Sequence, residues 1–254
     1  MIDLIGADFL KLRKRRGLFW WSLILTLGTT LAFAGVKIVL HLGDAVGNGP
    51  AGGTANYVHA MDVLCLTTAV AGALIGATAG SADRGAGVFR DLVATGRSRI
   101  ALSLSRVPAA LALIVPMALA GFVVETITCF AFASGLPTPS ASQIAWYASY
   151  ILASAALTCV LGLGLAELIG SRGIAIGVLL GWFLAGERLV LSIGWLGQAR
   201  AGLGGVAVDR LRPLVTLRDT RELNVSLVAA VAVLAAWLVI PTVAGAWRAQ
   251  TRDA

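Results

Sequence analysis

Apolar residues dominate six long stretches of the chain, Leu18–Leu40, Val58–Gly80, Ile100–Ala133, Ile144–Leu168, Ile174–Ile193 and Val225–Trp247, and polar residues gather in the segments between them. A helix needs about 20 apolar residues to cross about 30 Å of hydrocarbon, so the pattern predicts six transmembrane helices joined by short connections. Ahead of the first stretch the period changes. Ile2, Ile5, Phe9 and Leu12 recur at spacings of three and four, which puts them on one helical face with Asp8, Lys11 and Arg15 opposite. Residues 1–17 therefore predict an amphipathic helix on the membrane surface, with Phe9 turned to the apolar side and Lys11, Arg13, Arg15 and Arg16 available to lipid headgroups. Trp20 and Trp21 follow at the depth of the interface.

The six stretches are not alike. The second carries Gly72, Gly76 and Gly80 and the fifth carries Gly173, Gly177 and Gly181, so each offers a smooth stripe to a neighbouring helix, in the same chain or in a second copy. Pro108 and Pro116 predict a tilt or kink near the inner half of the third, and Pro241 interrupts the sixth. In the fifth, Ile174–Gly186 rises only about 20 Å before Glu187-Arg188, so Leu189–Gly197 reads as a broken or re-entrant piece. Residues 194–224 are expected to form an extracytoplasmic segment with a short helical or re-entrant part. Gly43–Asn56, rich in Gly, reads as a flexible connection.

Composition sharpens this picture. Of 254 residues 58% are hydrophobic and 13% are charged, whereas about a quarter are charged in a soluble domain, and the fold class expected is an all-α integral membrane protein with one transmembrane domain over 1–254. The formal charge of +7 does not point to nucleic acid, because the basic residues sit beside the spans. Thirteen of the 20 Lys and Arg fall on the side that holds the N-terminus, residues 81–106, Arg172 and the tail, so the positive-inside rule puts both termini in the cytoplasm. Abundant Gly, Ala and Arg suggest a bacterial cytoplasmic membrane. The alternative of a cleaved signal peptide, with Ala32-Phe33-Ala34 as the cleavage site, would leave five spans and reverse that charge pattern. Cys65, Cys129 and Cys159 lie within spans and read as small buried hydrophobes.

Catalytic machinery is not evident in the residues. The lysines are Lys11, Lys14 and Lys37, none preceded by glycine, so a phosphate-binding G-x-x-x-x-G-K-[ST] loop does not occur, and neither H-E-x-x-H nor G-x-S-x-G is present. No catalytic, cofactor-binding or metal-ligating residue is assigned. Carboxylates inside a membrane are costly unless paired or hydrated, which singles out Glu125 and Glu167. Glu167 is expected to pair with Arg172; Glu125, without a partner nearby in sequence, reads as facing a water-filled path or a structural pair. Glu187 and Arg188 read as lining or bracing an outer gate.

The segment from Ser81 to Arg99 has its own pattern. Val88, Leu92 and Phe89 form a small apolar patch flanked by Asp83, Arg84, Arg90 and Asp91, which suits a short helix inserted into a groove on a soluble partner. With the basic helix Asp8–Arg16, the Asp83-Arg84-Gly85 to Arg97-Ser98-Arg99 loop and the six-span layout, the chain resembles the permease subunits of type-2 ABC transporters. That resemblance implies a connecting helix before the first span and a coupling helix, with Asp83, Arg84, Gly85, Val88, Phe89 and Leu92 as contacts to an ABC ATP-binding subunit. It also implies that ATP and Mg are bound by that partner, that a second permease copy or sibling completes the complex, and that a hydrophobic or amphipathic solute (drug, lipid or peptide-like) is exported. The rival readings are an ion-coupled secondary transporter and a non-transporting membrane scaffold or sensor.

Overall fold

A computed structural model describes residues 2–85, 98–212, 223 and 225–251. Every regular element among them is helical. Helix α1 (Ile2–Lys14) precedes the first long helix α2 (Arg16–Gly43), which contains a π turn at Ile24–Gly28. Then follow α3 (Thr54–Gly85), the short α4 (Arg99–Leu104), α5 (Arg106–Ala131), α6 (Ala141–Ile169) and α7 (Arg172–Ser192), with a second π turn at Trp182–Gly186. A 3-10 segment (Gly194–Gly202), the six-residue α8 (Gly204–Asp209) and α9 (Leu227–Thr251) complete the order. Six of the helices, with α4 and α5 counted as one crossing, are long and apolar enough to span a membrane. The protein is an all-α, multi-pass membrane protein in architecture. Exposed tryptophans mark both ends of the bundle: Trp20, Trp21 and Trp247 at the end holding the termini, Trp146 and Trp195 at the other. Such belts sit at headgroup depth.

Local chemistry sets the helix limits. Ser140 caps α6 in a reciprocal capping box with Gln143, and Gly170 ends it with a left-handed φ of 81° that an L side chain resists. Ser98 accepts the Ala101 amide at 3.2 Å to start α4. The break between α4 and α5 falls at Ser105, because Pro108 has no N–H to give the Leu104 carbonyl. The kink expected in the third stretch is thus located near its basic end.

Helices α3 and α6 form the centre and α2, α7 and α9 the periphery. Their contact follows from the first glycine stripe: a Cβ on Gly72, Gly76 or Gly80 would collide with the α6 backbone around Ala155, Cys159 and Leu163. Two backbones thereby approach closely enough for extensive dispersion contact, which is the main attraction available between helices in lipid. The second stripe behaves differently. Gly173, Gly177 and Gly181 have nothing within 4 Å of a Cβ position and lie on the exposed side of α7.

Two expectations need correction. The fifth stretch does not break after Gly186: the π turn absorbs the extra residue and the helix continues to Ser192. Within residues 194–224, the short helix α8 packs on α6 and α9 with all six of its residues buried. The Gly-rich connection before α3 is also tied down. Gly52 and Gly53 donate to the carbonyls of Phe132 and Cys129 at 2.9 and 3.3 Å, and Thr54 donates through N–H and hydroxyl to Pro137.

Candidate functional site

Two polar centres stand out, one at each end of the bundle. At the basic end, Arg106 is the first residue of α5 and is buried; its Nη1 donates to Glu167 Oε1 of α6 at 2.9 Å and to the Gly80 carbonyl of α3 at 3.4 Å. Ser103 of α4 donates to the other Glu167 oxygen at 2.6 Å. Next to it, Ser105 donates to Asp8 of α1 at 2.7 Å, and Lys11 bridges to the same carboxylate at 3.1 Å. The network ties α1, α3, the α4–α5 break and α6 together. Each carboxylate oxygen of Glu167 has a donor, which is the condition under which a buried ion pair holds its place.

This arrangement revises two expectations. Glu167 pairs with Arg106, not Arg172, because Gly170 turns the chain away after α6 and leaves Arg172 exposed. Asp8 does not lie on the solvent face of α1. It is buried with Leu12, since the Ser105 hydroxyl at the α4–α5 break donates to it; Phe9 is half-buried against the core, while Lys11, Arg13, Arg15 and Arg16 remain exposed. Asp83, Arg84 and Gly85 complete the last turn of α3, and Val88, Phe89 and Leu92 lie outside the described residues.

At the far end a cavity of about 210 Å³ opens between α3, α6, α7 and α8. Four charged groups line it: Asp62 of α3, Arg188 of α7, Asp209 of α8, and Arg212 just beyond. Arg212 and Asp62 form a buried ion pair, and the same guanidinium lies 5.9 Å from the Tyr150 ring centroid. The pair neutralises two charges that would otherwise be stranded among apolar side chains. Arg188 is exposed on the rim and forms no ion pair among the described residues.

Glu187 and Arg188, adjacent in sequence, diverge. Glu187 is fully buried and its Oε1 accepts the Gly205 amide at 2.7 Å, which pins the start of α8 to α7. Trp237 of α9 secures the preceding turn by donating to the Gly202 carbonyl at 2.9 Å and stacks on Trp182, with ring centroids 6.5 Å apart. Glu125 does not line this cavity. It is 4% exposed on α5, and its Oε2 has no hydrogen-bond partner among the described residues.

Sequence reasoning overlooked Asp62, although an acid five residues inside the second apolar stretch carries the same warning as Glu125 and Glu167. Its partner Arg212 could not be found the same way, because 150 residues separate them. No family model matches the chain, and no curated protein matches it.

Proposed function

We propose that the chain is the transmembrane subunit of an ATP-driven exporter in the bacterial cytoplasmic membrane, moving a hydrophobic or amphipathic solute outward while a separate ABC ATP-binding subunit hydrolyses ATP. The observation that carries this reading is the junction at the basic end: the elements on either side of residues 86–97, α3 and α4–α5, are bonded to each other, to α6 and to the surface helix α1 through Arg106, Glu167, Ser105 and Asp8. A soluble partner that holds the 81–99 segment would displace α3, α5 and α6 together, as a rigid-body switch requires. The basic end faces the cytoplasm in this reading, and Arg13, Arg15 and Arg16 rest on inner-leaflet headgroups. ATP and Mg belong to the partner. A second permease copy packs on the open face of α7 at Gly173, Gly177 and Gly181, where close backbone approach is free.

The test is co-purification of the full chain with its ATP-binding subunit. The wild type is expected to retain the ATPase and the Val88→Asp/Leu92→Asp variant to lose it, with equal amounts of folded permease. Failure of the wild type to retain any ATPase would overturn the reading. The ion-coupled alternative draws on Glu125, a buried intramembrane carboxyl with one oxygen unpartnered, and would then move forward.

A further inference from the structure

We infer that the far-end cavity is a binding site for an anionic amphiphile, whose head is held by the Arg188 guanidinium at the rim and whose chain lies in the cleft between α3 and α7. This inference is independent of the ATP-driven reading, because it concerns binding to the chain alone.

The cleft is bounded by α3 and α7, which both supply residues to the cavity lining. Towards the basic end α3 and α7 are held through the small cluster of Ala77, Ala166 and Ala175. Farther along, Leu66 and Leu184 stand on the two lips, 52% and 50% exposed, with the cavity between them. At that depth an exposed leucine meets lipid, so the opening is lateral and apolar. Arg188 lies one turn beyond Leu184 on α7 and shares the rim. A guanidinium there is expensive unless it reaches the interface or meets an anion, and its planar fork matches a carboxylate or phosphate with two parallel hydrogen bonds.

The floor is built differently. Asp62 and Arg212 neutralise each other and Asp209 is buried, whereas Arg188 is exposed, so a molecule arriving from the bilayer meets the exposed cation first. Leu157, Phe183 and Val208 supply apolar wall between rim and floor. At about 210 Å³ the cavity is smaller than the roughly 300–1,000 Å³ that encloses a drug-sized ligand, so it takes a headgroup and the first carbons and leaves the rest of the chain in the cleft.

Native mass spectrometry of the full chain in neutral detergent tests this with four probes: oleate, a single-chain lysophosphatidylglycerol, dioleoylphosphatidylglycerol and dodecyltrimethylammonium. Oleate and the lysolipid are expected to bind, and Arg188→Gln to weaken both about tenfold or more. Leu66→Trp, which plugs the lip and leaves every charge in place, is expected to weaken them as well. Tighter binding of the single-chain anions than of the two-chain lipid would identify a free solute as the natural occupant, and the reverse order a bilayer lipid. Tighter binding of the ammonium probe would assign the site to Asp209 and a cation, and overturn the inference; so would unchanged anion binding in both variants. Arg188 and Leu66 are exposed, so neither substitution removes a buried contact, and the melting temperature of each variant verifies the fold.

Discussion

Arg106 and Glu167 illustrate how a costly residue is retained in an apolar bundle. Breaking a buried pair strands one charge and typically costs about 3–5 kcal/mol, whereas replacing both members by well-packed apolar residues is often neutral. Glu167→Gln and Arg106→Met are each expected to destabilise the protein by that amount, and the double variant Arg106→Met/Glu167→Leu to recover most of it, measured by denaturant unfolding in detergent micelles. Equal loss in single and double variants would mean that the Gly80 and Ser103 hydrogen bonds carry the stability instead. Asp62 and Arg212 follow the same logic at the other end, where the pair also sets the floor of the cavity.

Two glycine stripes, identical in spacing, have opposite environments at the level of elements. Gly76 lies against the Cys159 carbonyl of α6, while Gly177 faces open space. Gly76→Leu is therefore expected to separate α3 from α6 and lose folded protein, since overpacking a tight contact costs about 1–3 kcal/mol or more. Gly177→Leu is expected to leave the monomer folded and to weaken self-association, read by cross-linking in membranes. A folded, fully stable Gly76→Leu variant would show that the α3–α6 contact tolerates a wider gap than backbone-to-backbone packing implies. The π turn in α7 belongs to this scale too: by absorbing one residue it carries Glu187 inward onto α8 while Arg188 stays outside.

For the whole molecule, charge distribution and span number make one joint prediction. Six crossings return both termini to the same side, and thirteen of the 20 Lys and Arg lie there. A fluorescent protein fused after Ala254 is expected to fold and fluoresce in the cytoplasm, and alkaline phosphatase inserted at Thr138 to be active outside. The opposite pattern would invert the bundle, place residues 81–99 beyond reach of any cytoplasmic ATPase, and turn the cavity rim toward the inner leaflet.

By itself the sequence determined that the chain is helical and has six stretches long and apolar enough to cross a membrane, because span length and apolar content are fixed by bilayer thickness and need no knowledge of neighbours. It also marked the surface helix through its period, the third-span kink through Pro108, and the buried acids Glu125 and Glu167 through their cost. Tertiary structure decided everything that depends on which helix faces which. Arg106 rather than Arg172 meets Glu167, Asp8 turns inward to the Ser105 hydroxyl at the α4–α5 break, one glycine stripe is buried and the other open, and residues 204–212 fold back to close a cavity with Asp62. Partners 61, 97 and 150 residues apart leave no periodic trace, since the energy of such a pair depends on burial and geometry that arise only once the helices have packed.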